Sequence, residues 1–163
     1  DEEKYVNNEI LAKKIIKNLM EYDVVIIDAA PKFDLLTEEA LIQATDVLMV
    51  SDPNLISLNN IYRGIQHLQN KKMDIRKVSL VVNKVQKKIG KNYELYRRMT
   101  SLDNIYEIPF ESKMQDWQSG GILPAIDKKS SKMSKFLAEI ADDLYPTIQG
   151  SQKSWGIFKW KKA

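Results

Sequence analysis

The chain has 163 residues, the size of one ordinary domain, and 44% of them are apolar, which is enough to form a hydrophobic core. It contains no cysteine, which excludes disulfides, thiol catalysis and cysteine-ligated metal sites. Its one histidine, His67, cannot form a His-rich metal site and is expected at a solvated helix position. The net charge of +3 is too small to argue by itself for nucleic acid.

No apolar run reaches the roughly 18 residues that a membrane-spanning helix needs. The start of the chain is acidic and polar, unlike a signal peptide. The chain is therefore expected in the cytoplasm. Because its C-terminus is basic and aromatic, we also expect a peripheral contact with the inner face of the cell membrane.

Helical and extended patterns alternate along the chain. We expect, in chain order, a helix over 8–21, a strand over 24–27, a helix over 35–45, a strand over 47–50, a helix over 55–69, a strand over 78–82, a basic turn over 87–92, a short helix over 93–101, a strand over 104–108, a helical turn over 113–118 and a long helix over 131–145. This order predicts an α/β fold with a mostly parallel sheet and helices on both faces. The adjacent carboxylates Glu38-Glu39 and Asp142-Asp143 are expected on solvated helix faces.

The run from Val24 to Ile27 consists of four β-branched residues without in/out alternation. Such a run predicts a parallel strand that is buried on both faces. Asp28 follows at its carboxyl end, where open α/β sheets bind ligands. A carboxylate there can hold Mg²⁺, directly or through water, against nucleotide phosphates. Alternatively, Asp28 caps the next loop or pairs with a lysine.

Residues 22–50 resemble the Walker-B and switch-II region of the ParA/MinD group of deviant-Walker P-loop ATPases. The matching features are a D-x-x-P turn, Asp28-Ala29-Ala30-Pro31, a leucine-rich helix that begins at Leu35, and a strand entry, Ala44-Thr45-Asp46-Val47-Leu48. The resemblance continues to about Tyr145. It includes the segments Val81-Val82-Asn83-Lys84-Val85 and Ile108-Pro109-Phe110.

This resemblance implies ATP and Mg²⁺ as cofactors and a P-loop NTPase-like fold. Asp28 would be the catalytic and metal-binding carboxylate, which holds Mg²⁺ through water. Ala29, Ala30 and Pro31 would form the switch that senses the γ-phosphate. The adenine base would be contacted by Asn83, Pro109 and Phe110. From the residues alone, Asn83 is equally well explained as a turn cap and Phe110 as a core residue.

Within the group, residues 52–60, Asp-Pro-Asn-Leu-Ile-Ser-Leu-Asn-Asn, most resemble the TadZ/CpaE pilus-assembly branch. This implies a homodimer that positions other assembly proteins of a membrane machine. A non-enzymatic dimerising scaffold of the same fold is one alternative. A DNA-partition ATPase is another, with phosphate contacts from Lys87, Lys88, Lys91, Arg97 and Arg98. Such a charge run is usually a solvated face, so the sequence disfavours nucleic acid as a partner.

The sequence contains no phosphate loop of the form G-x-x-x-x-G-K-[ST]. Around Gly90-Lys91, Val85 replaces the first glycine and Asn92 replaces the Ser/Thr. The family carries this loop and its strand well before the Walker-B strand, whereas only residues 1–22 precede Asp23 here. We therefore expect residues 1–146 to form the C-terminal portion of such an ATPase domain, without its phosphate-loop strand. Such a chain alone would bind ATP poorly and be inactive.

Residues 147–163 form a predicted linker and a basic, aromatic tail. Tryptophan favours the membrane interface and lysines favour anionic lipid headgroups. The residues expected to bind an anionic membrane are Trp155, Ile157, Phe158, Lys159, Trp160, Lys161 and Lys162. The alternative is a tail that packs against its own domain or a protein partner.

Overall fold

The computed structural model describes residues 2–19, 21–86, 92–128 and 131–145, with side chains from residue 10 onward. The chain divides into two compact units, of which the first ends at Glu111 and the second begins at Ser112. Among the described helices, none combines the length and the apolar character required to cross a bilayer.

The first unit alternates helices with strands. In chain order it contains α1 (Glu2–Leu19), α2 (Leu35–Gln43), β1 (Val47–Ser51), α3 (Leu55–Asn70), β2 (Val78–Val85), α4 (Tyr93–Thr100) and β3 (Ile105–Pro109). A short 3₁₀ turn, Ile75–Lys77, leads into β2. The predicted helices, and the predicted strands that correspond to β1, β2 and β3, are confirmed, with boundaries that differ by a few residues.

The three strands form a parallel sheet in the order β1-β2-β3. Val47 pairs with Val78 and Ser51 with Val82, while Leu80 pairs with Ile105 on the other side of β2. Helix α3 packs against β1, and α4 packs against β3. The core between these helices and the sheet is made by buried residues that include Leu58, Ile65, Leu68, Leu80, Val82 and Tyr96. The predicted fold class, α/β with a parallel sheet, is confirmed.

The predicted buried strand over residues 24–27 is wrong. In the structure residues 24–30 have no regular secondary structure, and all four β-branched side chains of the run are exposed, with Ile26 at 90%. The apolar sequence favours a covered strand, but a strand needs a neighbour to complete its ladder of hydrogen bonds. Within the described part of the chain, no strand pairs with this stretch.

Polar side chains fix the ends of the helices near this sheet. Asp34 and Asn54 are the N-caps of α2 and α3, and each accepts a hydrogen bond from a backbone N–H three residues on, at 2.9 Å. The ammonium of Lys77 donates to the carbonyls of Leu41, Ile42 and Ala44 at 2.8, 3.1 and 2.9 Å. These carbonyls lie at the C-terminal end of α2, where carbonyls lack partners within the helix and a cation is favourable.

The second unit contains α5 (Met114–Ser119), α6 (Pro124–Asp127) and α7 (Lys132–Leu144). Ser131 caps α7 by accepting a hydrogen bond from the Ser134 N–H. The buried Ser134 hydroxyl donates to the Pro124 carbonyl at 2.8 Å, and this bond joins α6 to α7. The predicted helical turn and long helix of this region are confirmed. The predicted tail lies outside the described residues.

Candidate functional site

The carboxyl ends of β1, β2 and β3 lie at one edge of the parallel sheet. Val85 of β2 pairs with Pro109 of β3, and the Phe110 N–H donates to the Val85 carbonyl at 3.0 Å. The structure therefore brings Asn83, Pro109 and Phe110 together at the edge where parallel α/β sheets bind ligands. Asn83 and Pro109 are 26 positions apart in the sequence. The pairing of β2 with β3 brings them to the same edge.

Asn83 lies half-buried in an irregular part of β2. The β2–β3 register shifts between Val82 and Val85, and the Asn83 Oδ1 atom accepts a hydrogen bond from the Lys84 N–H at 2.9 Å. Asn83 therefore braces the irregular part of a strand, and the sequence interpretation of Asn83 as a turn cap is wrong. The side-chain amide nitrogen is the group that remains suited to donate to a ligand.

Lys84 was missed by the sequence analysis. Its backbone adopts a φ of 60°, a left-handed conformation that costs an L-residue about 1 kcal/mol or more. Its ammonium lies 3.4 Å from the Asp52 Oδ1 atom, so an exposed ion pair links the ends of β1 and β2. No local pattern identifies this pair, because its members are on different strands. Strained backbone of this kind is common at binding sites.

Phe110 lies on the surface of the sheet edge. Its side chain is 51% exposed, whereas Ile108 two residues earlier is buried. The interpretation of Phe110 as a core residue is therefore wrong. An exposed aromatic ring is suited to stack on a flat heterocycle, and a half-buried amide to hydrogen-bond one.

The other predicted site residues lie on the exposed stretch before α2. Asp28, Ala29, Ala30 and Pro31 are all exposed. The Lys32 N–H donates to the Ala30 carbonyl at 2.7 Å, which makes a tight turn there. Among the described residues, no group of three or more His, Cys, Asp or Glu side chains could hold a metal ion. A single carboxylate such as Asp28 fits only Mg²⁺ that takes its other ligands from phosphates and water.

The glutamates of α2 are not on a solvated face, contrary to the prediction. Glu39 is buried and accepts a hydrogen bond from the Gln43 side chain at 2.9 Å. Glu38 lies 3.1 Å from the His67 Nε2 atom and 3.1 Å from the Lys71 ammonium. His67 is thus half-buried between helices rather than solvated. These contacts join positions at least 29 residues apart, which local periodicity does not reveal.

The basic residues proposed for DNA contacts are only partly described. Arg97 forms an ion pair with Asp103 at 3.1 Å, and Lys87, Lys88 and Lys91 lie outside the described residues. An ion-paired arginine of this kind is typical of a solvated surface.

Parallel α/β sheets of this kind bind ligands beyond the carboxyl ends of their strands. Residues 2–80, just under half of the chain, match the family model described as the AAA domain. A comparison with curated proteins finds no significant match.

Solved structures of MinD share this fold. The MinC:MinD cell division protein complex of Aquifex aeolicus gives a TM-score of 0.66 at 22% identity over 88% of this chain and 60% of that chain. MinD of the same organism gives 0.67 at 21% identity, over 86% and 60%. The septum site-determining protein MinD of Pyrococcus horikoshii, complexed with Mg-ADP, gives 0.65 at 16% identity, over 85% and 57%.

The chain therefore spans about 60% of the length of the MinD chains that it matches. At these identities the likeness establishes the MinD-like P-loop NTPase fold.

Proposed function

We propose that this chain is the C-terminal part of a ParA/MinD-type ATPase that dimerises when it binds ATP and so positions a partner machine. The observation that carries the proposal is the carboxyl edge of the sheet. There Asn83, Pro109 and Phe110 lie together in a fold that matches MinD over most of this chain. The Mg-ADP complex of the Pyrococcus horikoshii protein supports a magnesium nucleotide as the ligand.

In this proposal the two groups of site residues have separate tasks. The half-buried amide of Asn83, the end of β3 at Pro109 and the exposed ring of Phe110 hold the adenine base. Asp28 holds Mg²⁺ through water, and Ala29, Ala30 and Pro31 respond to the γ-phosphate. When bound, Mg²⁺ would neutralise charge on the phosphates.

In this proposal the phosphate loop belongs to a longer protein, in a segment N-terminal to residues 1–163. Two features support this. The apolar run over residues 24–27 is exposed, and so are the Leu48 and Val50 side chains of β1. A further strand beside β1 would satisfy the outer edge of the sheet, and further elements packed on its face would cover these side chains. The chain alone would then bind ATP poorly or not at all.

For the partner, we propose the pilus-assembly machine of the TadZ/CpaE branch at the membrane or cell pole. The segment that suggests this branch ends β1 and forms the first turn of α3. Asn54 caps that turn, Leu58 points into the core, and Leu55 and Ile56 are exposed. Two adjacent exposed apolar side chains at the sheet edge suit a protein contact, either a second copy or an assembly protein.

ATP hydrolysis by a longer protein that carries the phosphate loop tests the proposal. Asp28→Asn should reduce hydrolysis by about 10–100-fold, the range typical of disturbing a metal site. Asp46→Asn is the matched control, because Asp46 is an equally exposed carboxylate beyond the switch, and it should leave the rate unchanged. Absence of hydrolysis in the unmodified longer protein would instead favour the non-enzymatic scaffold. A mobility shift with nonspecific duplex DNA would favour the partition ATPase.

A further inference from the structure

Phe33 makes an aromatic contact with α3 just after the stretch over residues 21–32, although its own side chain is 40% exposed. Its ring stacks on the imidazole of His67, with centroids 4.1 Å apart and planes inclined by 28°. The stack lies beside Gly64, one turn earlier on α3. A β-carbon at Gly64 would lie 3.7 Å from the Phe33 Cζ atom and only 2.7 Å from the Met49 Cε atom. The small residue lets the ring and the methionine approach the helix backbone closely.

Glu38 makes a second connection between the same two helices. One carboxylate oxygen lies 3.1 Å from the His67 Nε2 atom and the other 3.1 Å from the Lys71 ammonium. Between the two connections, Asp34 caps α2 and forms an ion pair with Lys32 at 2.8 Å. His67 thus contacts both the residue before α2 and the first turn of α2.

The chain gains side-chain contacts to α3 at Phe33. Residues 21–34 are all exposed, Phe33 included at 40%. Within the described residues, the tight turn at Ala30 supplies the backbone hydrogen bond between Asp23 and Phe33. From Phe33 onward, the stack on His67 and the contacts of Glu38 with His67 and Lys71 hold the chain against α3, while Asp34 caps α2 itself. Segments with few contacts open at low free energy, and well-packed segments do not.

We infer that Phe33 and His67 form a fixed anchor that marks the end of the ligand-responsive stretch. The inference rests on the proposed function, which makes Asp28 to Pro31 the switch. Phe33 and His67 are positioning residues. A nucleotide rearranges residues 28–32, while α2 stays on α3.

Hydrogen exchange of this chain without nucleotide tests the anchor itself. Phe33→Leu removes the stack but keeps an apolar side chain, and it should accelerate exchange of the α2 amides by about tenfold. Phe33→Tyr retains the stack and should exchange like the unmodified chain. The control is Tyr62→Ala, which truncates an aromatic side chain of similar exposure on α3. Equal α2 exchange in Phe33→Leu and Tyr62→Ala would overturn the anchor.

Exchange in a longer protein with a phosphate loop, with and without Mg-ATP, tests the boundary. In the unmodified protein, Mg-ATP should change exchange in residues 28–32 and leave α2 unchanged. In Phe33→Leu the change should spread into α2. A change across α2 in the unmodified protein would overturn the inference. If titration calorimetry detects no ATP binding, the proposed function fails, and the measurement without nucleotide still decides whether the anchor exists.

Discussion

Lys84 has a backbone conformation that favours glycine, and its side chain reaches the carboxylate of Asp52. Glycine adopts this conformation without the steric cost that a β-carbon brings. The ion pair is exposed at both partners, and such pairs contribute at most about 1 kcal/mol. The backbone effect and the ion pair are therefore of similar size and opposite sign.

Replacing Lys84 by glycine should change the free energy of unfolding by less than about 1 kcal/mol, because relief of backbone strain offsets the lost ion pair. Lys72→Gly is the matched control. Lys72 has nearly the same φ, 57°, at the end of α3, so its replacement measures the relief of strain and should stabilise the protein. Urea unfolding of both variants gives the comparison. A loss well above 1 kcal/mol in Lys84→Gly alone would show that the pair with Asp52 is stronger than its exposure indicates.

Helix α2 is held on α3 by the carboxylate of Glu38. Burial raises the pKa of this carboxyl, but hydrogen bonds from Lys71 and His67 outweigh burial, and the pKa lies below its ordinary value. Because the folded-state pKa is lowered, ionised Glu38 stabilises the fold above the ordinary pKa of a glutamate. That contribution is lost as the pH falls through the lowered value.

Glu38→Gln should therefore destabilise the protein at pH 7 and have little effect at a pH below the lowered pKa, where Glu38 itself is uncharged. Glu94→Gln, in the first turn of α4, is a control at a carboxylate outside the contacts with Lys71 and His67, and its effect should depend less on pH. Thermal unfolding across this pH range measures both. An effect of Glu38→Gln that is the same at neutral and acidic pH would contradict the ionic role.

The same apolar pattern predicted three strands correctly and one incorrectly. β1 and β3 each pair with β2, whereas the run over residues 24–27 has no strand to pair with among the described residues. Composition and periodicity report that a segment suits a covered strand, but not whether the covering element is present. For this reason the run over residues 24–27, whose residues suit a covered strand, forms no strand and is exposed.

The candidate site likewise contains residues that a sequence motif reveals and contacts that only the tertiary structure reveals. The sequence identified Asn83, Pro109 and Phe110 because they follow apolar runs in a recognisable motif. It did not identify the pairs Lys84–Asp52 and His67–Glu38, since each joins residues that only the tertiary structure brings together. Side chains on different elements leave no periodic signal.

The molecule as a whole is proposed to work at a membrane through its tail. The test is sedimentation with anionic liposomes, which compares the full chain with one that ends at Gln149. The full chain should partition onto the vesicles and the truncated chain should not, because the removed residues include the tryptophans and lysines that favour an anionic interface. Equal partitioning would indicate that the tail binds protein instead.

The central claim is that a complete nucleotide site needs two parts of a longer protein, the phosphate loop and residues 1–163. It is tested most directly by isothermal titration of Mg-ATP into residues 1–163 and into a longer protein that includes the preceding phosphate loop. The longer protein should bind Mg-ATP with micromolar affinity, and residues 1–163 should show no measurable binding at the same concentration. Micromolar binding by residues 1–163 alone would contradict the account.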